Sequence, residues 1–120
     1  MYRQVRNDLG LANVLLSQGD LALRRGELDT ARIHYQVAEP LHRKVQHHVG
    51  LAYVSAELAR LADRADDAAR YAAQARRSAS ASGSAVCQAD AERVLAGLDQ
   101  RHRKAGRTKR RPRAGERRTD

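Results

Sequence analysis

The sequence predicts an all-α chain of stacked antiparallel helical hairpins. Three observations carry this expectation. Residues 2–14 align with residues 42–54 at an offset of 40, with Arg3/Arg43, Val5/Val45, Gly10/Gly50, Leu11/Leu51, Ala12/Ala52 and Val14/Val54 identical. An internal repeat of that period means stacked hairpins. Gly19, Ala22, Ala31, Tyr35 and Ala38 recur in steps of three and four on either side of Gly26, which keeps each set on one helix face. Phe and Trp are absent and four Tyr are the aromatics. Thin layers of alanine-rich helices suit this composition better than a core of large side chains.

The first helix is expected from Asp8 to Arg25, with Asn7 or Asp8 as its N-cap. Gly26 ends it, because a helix C-cap wants a positive φ. The second helix is expected from Asp29 to Gln46, with Asp29 or Thr30 accepting from its free N–H groups. Pro40 lies inside it and predicts a kink rather than a stop, since Leu41 and Val45 continue the apolar spacing. Together these helices form the first hairpin, in which Gly19, Ala22, Ala31 and Ala38 let the backbones approach and Tyr35 fills the wedge.

The second hairpin is expected from Val49 to Ser80, at an offset of 37 from the first. Gly19-Asp20-Leu21-Ala22 becomes Ala56-Glu57-Leu58-Ala59, Asp29-Thr30-Ala31 becomes Asp66-Asp67-Ala68, and Ala38 becomes Ala75. Tyr35 becomes Ala72, with Tyr71 one position earlier to fill part of the gap. The turn at Asp63-Arg64-Ala65 has no Gly. Ser78 to Ser84 reads as a loop by composition. A last helix is expected from Ala85 to Gln100, with Cys87, Ala91, Val94 and Leu98 as its apolar stripe and Gln88, Asp90, Glu92 and Arg93 outside. Ala91 takes the small position of Ala56, so this helix reads as the first half of a third repeat, acting as a cap.

The charge divides the chain. Residues 101–120 hold ten Lys/Arg against Glu116 and Asp120, a net of +8, which leaves +1 of the total +9 for residues 1–100. The expected organisation is a helical domain over 1–100 and a disordered basic tail over 101–120, since the tail has too few apolar residues to offset the entropy of ordering. Lys109, Arg110, Arg111 and Arg113 are its densest cluster. Such a run binds nucleic acid or other anions by counterion release, and without aromatics it does so blind to sequence.

Cys87 is the single cysteine, so it supports neither an internal disulfide nor a cysteine zinc cluster. No membrane-length apolar run and no signal peptide is legible, and a cytoplasmic setting is the default expectation. His34, His42, His47 and His48 match no ligand spacing, so no metal is expected. No Gly-rich phosphate loop or paired-carboxylate signature is present, so neither a cofactor nor a catalytic residue is expected.

The Gly19–Ala38 stretch resembles a tetratricopeptide repeat (TPR), whose pattern is W-x2-L-G-x2-Y, then A-x3-F, then P. Gly19 takes the glycine place, Ala31 the alanine, Tyr35 the phenylalanine and Ala38 the further small residue of the second helix. Leu15, Gln18 and Ala22 replace the tryptophan, leucine and tyrosine, and Arg43 sits near the place of the closing proline. The resemblance covers residues 2–98. The wording around Gly19 is similar to repeats in the C-terminal regions of bacterial signalling ATPases and transcriptional regulators.

The resemblance implies a right-handed TPR-like solenoid of about two repeats plus a capping helix. It implies Gly19, Ala22, Ala31, Tyr35, Ala38, Ala56, Ala59, Ala68, Ala75 and Ala91 as repeat-packing residues. It places Asn13, Leu16, Ser17, Asp20, Arg24, Tyr53, Glu57, Arg60 and Leu61 in a concave groove for another protein or peptide. The expected function is therefore a scaffold or regulatory arm without chemistry of its own. The alternative is a small nucleic-acid-associated protein that binds through its tail. Met1 aligns with Leu41, inside a second helix, so the first helix is expected to lack its usual neighbour. That predicts marginal stability or self-association through this face, and it is also what a fragment of a longer repeat protein gives.

Overall fold

The computed structural model describes residues 2–98. The tail over 101–120, with Lys109, Arg110, Arg111 and Arg113, lies outside the described residues. Among the described residues five helices follow one another: α1 (Tyr2–Arg24), α2 (Leu28–Lys44), α3 (His48–Leu61), α4 (Ala65–Ser82) and α5, described over residues 85–98. No strand occurs among the described residues.

α1 starts earlier than the capping residues suggested. Asn7 and Asp8 lie inside the helix. Asp8 does not cap, because side chains occupy its carboxylate. Gln4 donates to Asp8 Oδ1 at 2.9 Å, one turn back, and Lys44 at the end of α2 pairs with Asp8 Oδ2 at 2.9 Å. That ion pair joins the start of α1 to the end of α2, so the two helices run antiparallel.

The α1–α2 turn is built by Gly26, with φ 76°. Glu27 N–H donates to the Ala22 carbonyl and Gly26 N–H to the Leu23 carbonyl, the paired bonds of a Schellman motif. Only Glu27 then separates the turn from α2. The expected caps Asp29 and Thr30 are consequently inside the helix, and Glu27 stands at the N-cap without a side-chain cap. Asp29 pairs with Arg32 at 2.5 Å instead. α2 continues through Pro40 to Lys44. The same two bonds recur at the next turn, from His47 to His42 and from Gln46 to Arg43, but Gln46 there holds φ 56° without being glycine.

The α3–α4 turn lacks glycine and uses extended backbone at Ala62 and Arg64 in place of a left-handed residue. α4 then runs to Ser82, so Ser78–Ser82 are helical and the expected loop shrinks to Gly83 and Ser84. Burial of Ser78 and Ala79 favours the helix over the loop. Ser84 caps α5: its Oγ accepts from the Cys87 N–H at 3.1 Å.

Each helix packs on the next. One core cluster holds Ala22, Ala31, Tyr35, Ala38, Val54, Leu58 and Leu61 from α1, α2 and α3. A second holds Ala56, Ala59, Ala68, Ala72, Ala75, Leu95 and Leu98 from α3, α4 and α5. Every residue expected to pack between repeats is buried: Gly19, Ala22, Ala31, Tyr35, Ala38, Ala56, Ala59, Ala68, Ala75 and Ala91. The α5 stripe differs from expectation. Leu95 is the most buried residue of this helix, while Cys87 and Val94 are half-buried. The steps from Ala91 to Leu95 to Leu98 keep the helical spacing and bring leucine against the alanines of α4.

Candidate functional site

Small residues at the hairpin centre place the chemistry. Tyr35 lies across Gly19 and reaches the next residue on α1, donating from its hydroxyl to Asp20 Oδ1 at 2.5 Å. Tyr53 on α3 donates to the same oxygen at 2.9 Å. One carboxylate oxygen thus ties α1, α2 and α3 together. Burial, and next the bond to Asp20, pushes both phenols far above the usual tyrosine range, so both stay protonated donors.

One turn along α3 from Tyr53, Glu57 is buried and pairs with Arg60 at 2.8 Å. Burial raises the Glu57 pKa above its ordinary value, and Arg60 opposes that rise. Glu57 Oε1 is the oxygen that takes the Arg60 charge, while Arg60 Nε, also buried, has no hydrogen-bond partner among the described residues. The pair is therefore an internal contact of α3 that holds the buried carboxylate beside the groove.

A groove of about 320 Å³ opens beside it between α3 and α5. Tyr53, Ala56 and Glu57 form one wall, and Asp90, Arg93 and Val94 the other. Asp90 and Arg93, expected on the outer face of the last helix, line the groove instead. Leu95 faces the α4 alanines, and that orientation turns Val94 and its neighbours toward α3. The two charged residues are bonded to each other, so this wall is polar but locally neutral. The helical spacing through Leu95 was the signal available in the sequence.

The expected groove residues divide four ways. Asp20, Tyr53, Glu57 and Arg60 form the cluster just described. Asn13 and Ser17 are exposed on α1, where they line a separate open depression with Val14, Gln18 and Leu21. Arg24 is exposed at the end of α1. Leu16 and Leu61 are corrected: Leu61 is buried in the α1–α2–α3 core and Leu16 packs against it. Alanine at most neighbouring positions leaves that core dependent on its few leucines.

Two histidines that matched no ligand spacing in the sequence come together. His42 is fully buried and stacks on His47 with ring centroids 5.2 Å apart and Nδ1 atoms 3.2 Å apart. Gly50 makes room, since a Cβ there would meet both imidazoles at about 2.5 Å. No group of three or more metal-ligating side chains forms among the described residues. None of the described helices is long and apolar enough to cross a membrane.

Comparison with known proteins gives no matching family model, no matching curated protein and no matching solved structure.

Proposed function

We propose that this chain is a protein–protein interaction module of the TPR-like solenoid type, without catalytic activity, and that it holds a segment of another protein in the α3–α5 groove. The observation that supports this reading is the open groove of about 320 Å³ between α3 and α5, which sets Tyr53, Ala56 and Val94 beside the exposed charges of Asp90 and Arg93. A bound segment can lay apolar side chains on the first group and turn its amides and carbonyls to the second. Tyr53 anchors the site, with its hydroxyl already committed to Asp20.

Peptide selection on the full chain tests this. Selected peptides should lose affinity about tenfold or more on Val94→Asp or Arg93→Glu, since anchors at groove centres dominate binding. Peptides that bind both variants as well as the parent chain would place the site elsewhere.

The basic tail supports a second reading, sequence-independent nucleic-acid binding through Lys109, Arg110, Arg111 and Arg113. Salt-titrated binding with and without residues 101–120 decides it. Affinity that disappears on truncation, with a steep salt slope, favours this reading. No affinity at low salt ends it.

A further inference from the structure

α1 carries an open flank whose counterpart on α3 is covered by α2. Burial follows the offset of 37: Gly19 and Ala56, Ala22 and Ala59, Ala31 and Ala68, Tyr35 and Ala72, Ala38 and Ala75 are all buried. On α3, Gly50, Leu51, Val54, Ser55 and Leu58 are buried. α2 covers this face: His42 lies over Gly50, and Val54 and Leu58 share a core with Ala31, Tyr35 and Ala38. Because α1 and α3 are each unbroken, the register of 37 set by Gly19 and Ala56 holds along both and replaces the offset of 40 that residues 10–14 suggested. The positions 37 residues earlier are Asn13, Val14, Ser17, Gln18 and Leu21, and these line an open depression of about 370 Å³. All five are exposed, Val14 by 53% and Leu21 by 43%. One hairpin flank is thus covered by a helix and the corresponding flank is open, with Asn13 where Gly50 admits an imidazole and Ser17 where α3 has Val54.

Charge narrows the choice of helix. Arg3, Val14 and Leu21 share one face of α1, because steps of three and four connect them, and Arg25, the residue just past its end, continues that spacing. Both arginines are exposed. The acidic residues of α1 point elsewhere, Asp8 to Lys44 and Asp20 to the two tyrosines. A second copy of α1 laid on this flank sets arginine against arginine in either direction. An acidic helix meets opposite charge at both ends.

We propose that the α1 flank docks an amphipathic helix of a partner protein, with small and apolar residues along its contact stripe and acidic residues at both ends. This surface is separate from the α3–α5 groove.

The test uses the full chain and a labelled alanine-rich helical peptide that carries Ala, Tyr and Ala at the spacing of 31, 35 and 38 on α2, with Ala in the place of His42 because Asn13 stands where Gly50 admits that ring. One probe has glutamates at both ends and its twin has lysines. The glutamate probe should bind at least about tenfold more tightly at low salt, and the gap should narrow as salt screens the ends. Val14→Gln with Leu21→Gln should weaken it about tenfold with an unchanged melt, since both residues are exposed. Arg93→Glu should leave it unchanged, being exposed and in the separate groove lined by α3 and α5. Equal affinity of the twins, absence of saturable binding, indifference to the double substitution, or loss on Arg93→Glu would each overturn the proposal. So would a concentration-dependent dimer in sedimentation that the double substitution dissolves, because the occupant would then be a second copy.

Discussion

Gly19 and Tyr35 share one space. A Cβ on Gly19 would lie 2.7 Å from Tyr35 Cε1 and 2.9 Å from Cδ1. The ring has nowhere to move, being fully buried with its hydroxyl held by Asp20. α1 therefore accepts the flat face of Tyr35 at one residue and binds its tip with the next. This contact fixes the α1–α2 spacing at the hairpin centre, beside the alanines at 22, 31 and 38 and the Asp8–Lys44 pair.

Gly19→Ala should destabilise the chain. In an open helix the change gains up to about 1 kcal/mol, because glycine is the poorer helix former. Here the clash outweighs that gain, since overpacking a tight core costs about 1–3 kcal/mol. A lower melting temperature is the expected result. A raised one would show that the helices separate freely at this point.

Tyr35→Ala should be far more damaging than Tyr71→Ala. Removing a buried aromatic costs about 3–5 kcal/mol, and here it also takes one of the two phenols from Asp20. Tyr71 is half-buried and packs at the edge of both core clusters, with the Arg70 guanidinium 4.9 Å from its ring centre. Its loss should cost about 1 kcal/mol, the scale of an exposed cation–π contact with modest burial. Equal shifts in denaturant midpoint for the two variants would place the core elsewhere.

The hairpins were legible because their signals are local. Gly26 announced its turn, and small residues at helical spacing announced the faces. Caps were read less well: Asp8 and Asp29 look like capping residues, but partners three to thirty-six positions away claim their carboxylates. The Ser78–Ser84 stretch looked like loop, but burial of Ser78 and Ala79 by tertiary packing overrode composition. The polar cluster was half legible. Asp20, Tyr53, Glu57 and Arg60 were placed together, yet the second wall of the groove was missed. Asp90 and Arg93 sit at positions whose facing depends on how α5 rolls onto α4, and Leu95 decides that roll.

His42 should make stability fall in acid. Burial, and next the charge of His47, lowers its pKa from 6.5 to about 4. Between those values the unfolded chain binds more protons than the folded one, so stability present above pH 6.5 is lost as pH falls toward 4. The loss is up to about 3 kcal/mol for a shift of this size. Glu57 acts in the opposite sense, because burial raises its pKa and favours the folded state as it protonates. Comparison with His42→Leu separates the two. The parent chain should lose stability more steeply than the variant in urea titrations across this window, and parallel curves would contradict the assignment.

Gln46→Gly should stabilise the chain. Gln46 occupies the position at the end of α2 that Gly26 occupies at the end of α1, with the same pair of hydrogen bonds and a φ of 56°. A side chain in that left-handed conformation costs about 1–2 kcal/mol. Glycine removes that cost but loses more backbone freedom on folding, by about 0.5–1 kcal/mol. The net gain expected is therefore a fraction of 1 kcal/mol to about 1 kcal/mol. Gln46 is exposed, so little packing is lost with its side chain. Gly26→Gln is the reciprocal change and should destabilise by a similar amount. A cycle of thermal melts over both positions measures the turn term twice. Destabilisation by Gln46→Gly would mean that the glutamine side chain stabilises the α2–α3 junction by more than the strained backbone costs.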